Sequence, residues 1–348
     1  MFKLKIQYWC YRVATILKSI KALYTLPPEK VKAYVDSYNI YNYDWGNEKD
    51  LINEFGPNYY NEAKRHIIDC YSVLNLLCSI GQVEKMYIPA AMDLSKSFTA
   101  NQILFEKKMS QDLGIKKSHR VLDIGCGRGR IAAHIATLSG ASVTGMNIDA
   151  VQLECARQYV LGNGLSKRCK FKMADLNEYP LPFPDHSFHA VYDVGVFTYS
   201  KDLPKLFKEI HRILKPGGRF ACLDWVRLPN FNPDNPHHAD LLRRVKPLVG
   251  AIGTPSIEEF SGAIKSAGFQ LLINENASID ALQAPLIENA DKFFSRVAKA
   301  MHFLDRCKLV PSHFKVLFDR MTKDGEAFVE ADRLRIVTSS HYILAEKN

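Results

Sequence analysis

The chain lacks the marks of several common function classes. No C-x-x-C pair occurs among its eight cysteines, at positions 10, 70, 78, 126, 155, 169, 222 and 307, and no His/Cys spacing suits a metal. A structural zinc site and a disulfide framework are not expected; scattered reduced thiols that behave as small hydrophobes are. No uncharged run approaches the roughly 18 residues needed to span a bilayer, and no small-residue cleavage site follows an apolar N-terminal core. There is no G-x-x-x-x-G-K-[ST] phosphate cradle and no RNP-like aromatic motif, so neither a P-loop nor a nucleic-acid partner is expected. Acids are fewer than bases, 37 against 46, which leaves a net charge of +9. That balance points to an anionic surface, and without nucleic-acid motifs the cytoplasmic face of a membrane is the expectation.

What is present is a globular composition, 47% hydrophobic and 24% charged over 348 residues. Residues 1–26 mix apolar and aromatic side chains, among them Tyr8, Trp9 and Tyr11, with Lys3, Lys5, Arg12, Lys18 and Lys21. Such a basic amphipathic helix suits a membrane interface, and Pro27-Pro28 ends it. Residues 34–60 are dense in tyrosine and tryptophan, residues 63–82 hold an apolar helical run, and residues 97–113 a second helix.

The organising stretch is V-L-D-I-G-C-G-R-G, residues 121–129. A short apolar strand enters glycines at alternate positions, where a backbone without Cβ atoms admits a ligand closely. The third glycine follows two residues after the second, unlike G-x-G-x-x-G, and this spacing favours S-adenosylmethionine over a dinucleotide or ATP. Strands are expected at 121–124, 141–145, 169–173, within 187–197 and at 219–226, with helices at 129–138, 150–162 and 203–214. This alternation predicts an α/β fold, a mostly parallel doubly wound sheet of class I methyltransferase type behind a helical cap.

Ligands in such sheets lie beyond the carboxyl ends of the strands. Asp123 is expected to face the methionine ammonium, with Gly125, Cys126 and Gly127 forming the floor. Asn147, flanked by Ile148 and Gln152, ends the second strand where an acid usually holds the ribose hydroxyls, and its amide has both a donor and an acceptor end. Asp175 is placed for the adenine amine, with Leu176 adding a backbone N–H. Asp193 ends the fourth strand beside the methyl-transfer point.

The segment G-M-N-I-D-A-V-Q-L, residues 145–153, resembles the G-x-N-N-x-x-Q run of sterol C-methyltransferases, and Y-N-Y-D-W-G, residues 41–46, resembles their aromatic sterol-binding box. The likeness extends through residues 209–226, D-N-P-H-H at 234–238 and a final strand at 335–347. It implies a sterol slot lined by Tyr41, Trp45 and Phe197, with Tyr43, Asp44, Asp193 and Tyr199 as candidate bases and His211 less suited. The departures are also specific. The family's E-A-T-C-H becomes residues 195–199, so Gly195 stands for an acid and Tyr199 for a histidine, and two glutamates of E-I-E-L-G-D become Arg244 and Lys246.

Methylation of a side-chain alkene at C-24 forms a carbocation that nearby cations would destabilise, whereas methylation at C-4 beside a 3-ketone passes through an enolate that Lys, Arg or Tyr would stabilise. The exchanged charges favour C-4, as in the family's nematode 4-C-methyltransferase branch. The alternatives are C-24 methylation or transfer to another lipid or small molecule. The expected organisation is a basic segment at 1–33, a helical cap at 34–118, a cofactor core at 119–228 and a substrate-binding extension at 229–348. The expected partners are S-adenosyl-L-methionine, a sterol or 3-ketosteroid, a membrane surface and, as a homo-oligomer, further copies of the chain. The expected location is the cytoplasmic side of intracellular membranes such as the endoplasmic reticulum.

Overall fold

The computed structural model describes residues 2–80 and 83–348, with side chains from residue 13 onward. The expected interfacial residues Lys3, Lys5, Tyr8, Trp9, Tyr11 and Arg12 therefore have side chains outside the described residues, as does the expected helix end at Gln82. Five helices precede the first strand: α1 (Phe2–Tyr24), α2 (Pro28–Ser37), α3 (Glu48–Phe55), α4 (Tyr59–Ile80) and α5 (Phe98–Asp112). Pro28 sits in the first turn of α2, where its missing N–H costs nothing, so it starts one helix as well as separating it from another. Ser97 caps α5 by accepting from the Ala100 N–H.

The alternating region follows as β1 (Arg120–Ile124), α6 (Arg130–Ser139), β2 (Ser142–Asn147), α7 (Ala150–Gly162), β3 (Cys169–Met173), β4 (Phe188–Val194), α8 (Leu203–Ile213) and β5 (Leu214–Arg227). The remainder comprises α9 (Pro236–Val249), α10 (Ile257–Ser266), β6 (Phe269–Asn276), α11 (Ala284–Arg306), α12 (His313–Thr322), α13 (Gly325–Arg333) and β7 (Val337–Lys347). One seven-stranded sheet runs β3-β2-β1-β4-β5-β7-β6. β1 to β5 pair in parallel, and β7 inserts antiparallel between β5 and β6.

This order puts the carboxyl ends of β1, β2 and β4 side by side, with the chain reversing direction across the sheet between β1 and β4, the usual ligand position in open α/β sheets. Both faces of the central strands are covered: β1 reads buried at four successive positions after its first, as a strand sandwiched between helix layers does. α4 and the turn at 38–42 lie over the sheet's carboxyl edge, within the same apolar core as Leu122, Ile124, Val191 and Phe220. α9, α11 and α13 pack as a separate C-terminal layer against Trp225 and Val337. Among the described residues no helix is long and apolar enough to cross a membrane.

Candidate functional site: two joined cavities at the sheet edge

Two cavities meet above the β1 and β4 ends. The inner one encloses about 1100 Å³ including its mouth, and its wall includes Gly125, Cys126, Gly127, Asn147, Ile148, Gln152, Asp175 and Leu176. The outer one encloses about 1510 Å³ on the same measure and is mainly apolar, lined by Tyr38, Tyr41, Trp225, Leu248, Phe294 and Phe328 among others. Tyr71, Lys85, Met86, Tyr87, Val194 and Gly195 line both and mark the junction.

The inner wall is built from loop chemistry at the strand ends. Gly125 and Gly127 take φ of +69° and +50°, a left-handed backbone that glycine adopts at least cost. A Cβ on Gly127 would meet nothing of the protein closer than Gln152 Oε1 at 3.5 Å, so its absence leaves cavity space that a ligand can fill. Asn147 Nδ2 donates to Gln152 Oε1 at 2.8 Å and its Oδ1 accepts from the Ile148 N–H at 2.9 Å, which fixes the amide at the end of β2. Asp149 caps α7 through the Val151 and Gln152 N–H groups and so holds Gln152 in place. Asp175 accepts from Tyr60 Oη at 2.6 Å and pairs with Lys64 Nζ at 2.8 Å, both reaching down from α4. Asn75, also on α4, has a buried Oδ1 without a protein partner and lies on the same wall.

These groups fit S-adenosylmethionine: a backbone cradle, an orphan acceptor for an ammonium, an amide pair for vicinal hydroxyls and a carboxylate for an exocyclic amine. Asp123 does not line the cavity. It lies beneath the loop, almost wholly buried, where burial pushes its carboxyl up to about 8 and the Tyr192 hydroxyl and the Ala132 N–H face it. The ammonium role is better suited to Asn75, which the sequence signals only as one amide inside an apolar helical run.

At the junction, Tyr199 Oη lies 3.1 Å from Tyr71 Oη and 3.4 Å from Tyr41 Oη. Gly250 makes room for this cluster, since a Cβ there would stand 2.5 Å from Tyr199 Oη. Burial holds the Tyr199 phenol well above its ordinary range, so it remains a hydrogen-bond donor. Behind the junction Asp193 and Asp224 face each other in the sheet, both nearly inaccessible. Asp224 accepts the Phe197 N–H at 2.8 Å and the Trp225 N–H at 2.7 Å, whereas Asp193 is faced by the Val196 N–H alone besides Asp224 among the described residues. Burial raises both, and the backbone donors hold Asp224 lower. Asp193 is raised the further of the two, and it is Asp224 that reaches the outer cavity wall.

Several expected roles are corrected by position. Asp193 lines neither cavity and lies behind Asp224. Phe197 is buried in an aromatic core with Phe207, Phe220 and Phe260, because the turn after β4 folds it back under the sheet edge. Trp45 spends its Nε1–H on the Thr198 carbonyl at 3.0 Å, and Tyr43 stacks edge-on with Phe55; both lie off the cavity wall. Asp44 accepts from Thr254 Oγ1 at 2.8 Å, and His211 packs edge-on against Phe269, again away from both cavities. The aromatic box thus supports the cap more than it contacts a ligand, Tyr41 excepted. Arg244 pairs with Asp324 and Glu326 on the outer side of α9, and Lys246 donates to the Tyr43 carbonyl beside Asp44. Neither cation reaches the cavities. Pro247, Leu248, Val249 and Gly250 of the same segment do. Tyr41 and Tyr199, by contrast, are brought together at the junction.

The chain is similar to known methyltransferases. A family described as "Methyltransferase domain" matches residues 122–222. The sterol 24-C-methyltransferase of Neurospora crassa is 36% identical over 171 residues, 49% of this chain and only 45% of that protein's length. The cycloartenol-C-24-methyltransferase of Arabidopsis thaliana is 30% identical over 257 residues, covering 70% of this chain and 75% of that protein. Among solved structures, the [4+2]-cyclase SpnF superposes with a TM-score of 0.61 over 81% of this chain and 95% of its own, at 18% identity, a likeness of fold alone. With a seven-stranded sheet of this order, the glycine cradle at its switch point and a sterol-methylating relative 30% identical over 70% of the chain, the chain belongs to the sterol C-methyltransferase family.

Proposed function

We propose that the protein transfers a methyl group from S-adenosyl-L-methionine to a carbon of a sterol. The observation that carries this reading is the junction itself: a cavity with a glycine cradle and polar side chains at the strand ends opens, at Tyr71 and Gly195, into a larger cavity lined by aromatic and aliphatic side chains. The cofactor supplies an electrophilic methyl group when bound. Gly125 and Gly127 seat it, Asn147 and Gln152 orient its ribose, and Asp175 with Tyr60 closes the adenine end. The apolar outer walls exclude water from the acceptor.

The relatives' names favour C-24 of a sterol side chain as the acceptor, and the site's charges agree with that carbon. With Arg244 and Lys246 neutralised elsewhere, no unpaired cation stands at the junction among the described residues: Lys85 is held by Glu106 at 2.6 Å. Asp224 offers carboxyl oxygens, and Tyr71, Tyr87 and Trp225 offer aromatic faces, the surroundings that stabilise a carbocation. A second reading, methylation at C-4 beside a 3-ketone, is favoured by Tyr199 and Gly195, which occupy the junction where the family's histidine and acid would stand. The tyrosine cluster would donate to an enolate oxygen. Mass spectrometry of products from a side-chain alkene sterol and from a 3-ketosteroid tests both. Label at C-24 is the expected result, label at C-4 selects the second reading, and no label in either sterol, with the cofactor bound, defeats the proposal.

We also propose that the enzyme works against a membrane, on the cytoplasmic side of the endoplasmic reticulum. Leu17 and Tyr24 of α1 are more than half exposed beside Lys18 and Lys21, and Phe303 and Leu309 are more exposed still, beside Arg306 and Lys308. The end of α1 is held to the C-terminal helices where Tyr24 contacts Phe314 and His313 Nε2 lies 2.7 Å from the Leu23 carbonyl. Apolar anchors ringed by cations suit an anionic bilayer surface. In flotation assays the protein should rise with phosphatidylserine vesicles and be released by salt; equal recovery from neutral vesicles at all salt concentrations would remove the electrostatic half of the idea, and recovery from neither would remove all of it.

A further inference from the structure

Among the described residues, one charged side chain on the outer cavity wall has a buried polar atom left unmatched. Four side chains of the acidic and basic residues reach its wall: Lys85, Asp224, Asp291 and Arg320. Lys85 is paired with Glu106, and Asp224 is engaged by two backbone N–H groups and Asp193. Asp291 packs over Gly325, where a Cβ would stand 1.9 Å from its Oδ1. Arg320, on α12, lies with its Cζ 3.9 Å from the centre of the Tyr38 ring, and its Nε is buried without a hydrogen-bond partner. A buried guanidinium N–H left unmatched costs free energy that a ligand acceptor would recover. Tyr38 Oη, 3.0 Å from Tyr34 Oη, stands beside it.

The position of this group relative to the junction gives it meaning. Tyr199 at the junction touches Tyr41, the Tyr41 ring lies 5.9 Å from the Tyr38 ring, and Arg320 stacks beyond Tyr38. Arg320 and Tyr38 line the outer cavity only. A sterol is an elongated rigid plate with a single polar oxygen on its A-ring and an apolar side chain at the other end.

We propose that Arg320, braced on Tyr38, is the anchor for the sterol's A-ring oxygen, and that this anchoring turns the alkyl side chain toward the methyl donor. The inference rests on the sterol reading above and deepens it: the polar anchor, rather than the charges on α9, selects which end of the substrate is methylated. An A-ring bound at the tyrosine junction would leave Arg320 without a ligand.

The test compares two probes, a 3β-hydroxy sterol with a C-24 alkene and its 3-deoxy analogue, in the full chain with S-adenosylmethionine bound. The wild type should bind the hydroxylated sterol about tenfold more tightly or better, the weight of one hydrogen bond from a charged donor. Arg320→Leu should reduce that ratio to near one while cofactor affinity, measured by calorimetry, stays unchanged, and Arg320→Lys should restore part of it. A wild-type ratio near one overturns the anchor before any variant is made, and a ratio that survives in Arg320→Leu overturns it as well. If the wild type binds neither sterol while binding cofactor, the sterol reading itself fails, a separate result.

Discussion

Gly125 and Gly127 share a left-handed backbone yet answer to different neighbours. A Cβ on Gly125 would stand 2.4 Å from Val196 Cγ2, inside the protein, whereas one on Gly127 would enter the cavity. Gly125→Ala should therefore lower the thermal midpoint before anything else, through steric overlap added to a positive-φ penalty of about 1 kcal/mol. Gly127→Ala carries the same backbone penalty but should weaken S-adenosylmethionine by about tenfold or more, as one lost close approach implies. Calorimetric titration and a melting curve on each variant check this, and the reverse pattern would mean that the cradle is misplaced. The cradle was legible in the sequence because a glycine run at a strand end has few other uses. The fate of Arg244 and Lys246 was not, since their counter-charges Asp324, Glu326 and Asp44 come from segments far along the chain. A charge read without its partner has a sign but no location.

At the scale of elements, α4 does more than the sequence suggested. Tyr60, Lys64, Ile67, Tyr71 and Asn75 recur at helical spacing and form one stripe along the inner cavity, while Cys70, Leu74 and Cys78 face the outer one. An apolar helix before the first strand was expected, but that it serves as the shared wall of two cavities depends on its angle over the sheet, which no local pattern encodes. Asn75→Leu should remove the orphan acceptor, weakening cofactor binding about tenfold or more while leaving the melting temperature unchanged or raised, because an unsatisfied buried oxygen is lost with it. Retained cofactor affinity would return the ammonium to another partner. The strands were the most legible elements: β1 and the mostly parallel sheet follow from short strands alternating with helices, and β7 from the resemblance of its sequence. The aromatic box was legible as a motif but not as a contact, because Trp45 and Tyr43 turn to bracing the cap.

For the molecule as a whole, the buried ionisable groups set opposing pH dependences. His341, inside β7 with Nε2 2.8 Å from Asn274 Oδ1, is pushed by burial down to about 4 from 6.5. Its folded form resists protonation, so no stability is lost on its account above pH 6.5, and about 3 kcal/mol is lost progressively as pH falls from 6.5 to about 4. Asp332, raised by burial to about 6, acts in the other sense, losing stability as pH rises from 3.8 through that value. The histidine contribution is isolated by comparing denaturant midpoints of wild type and His341→Asn at pH 7 and pH 4.5: the wild type should lose more on acidification by roughly 2–3 kcal/mol. Equal losses would show that His341 titrates as an exposed histidine does.

The place of β7 in the sheet also bears on how the chain is made. Among the described residues β6 pairs with β7 alone, yet α11, α12 and α13 are all synthesised between them. On the ribosome, β6 must wait as an unpaired strand, and β5 must keep an open edge, until β7 emerges to slide between the two. A growing chain with two complementary exposed edges is liable to pair with a neighbouring nascent chain on the same message. Helper proteins that shield strand edges should therefore matter more to the yield of this protein than to that of a sheet closed in chain order.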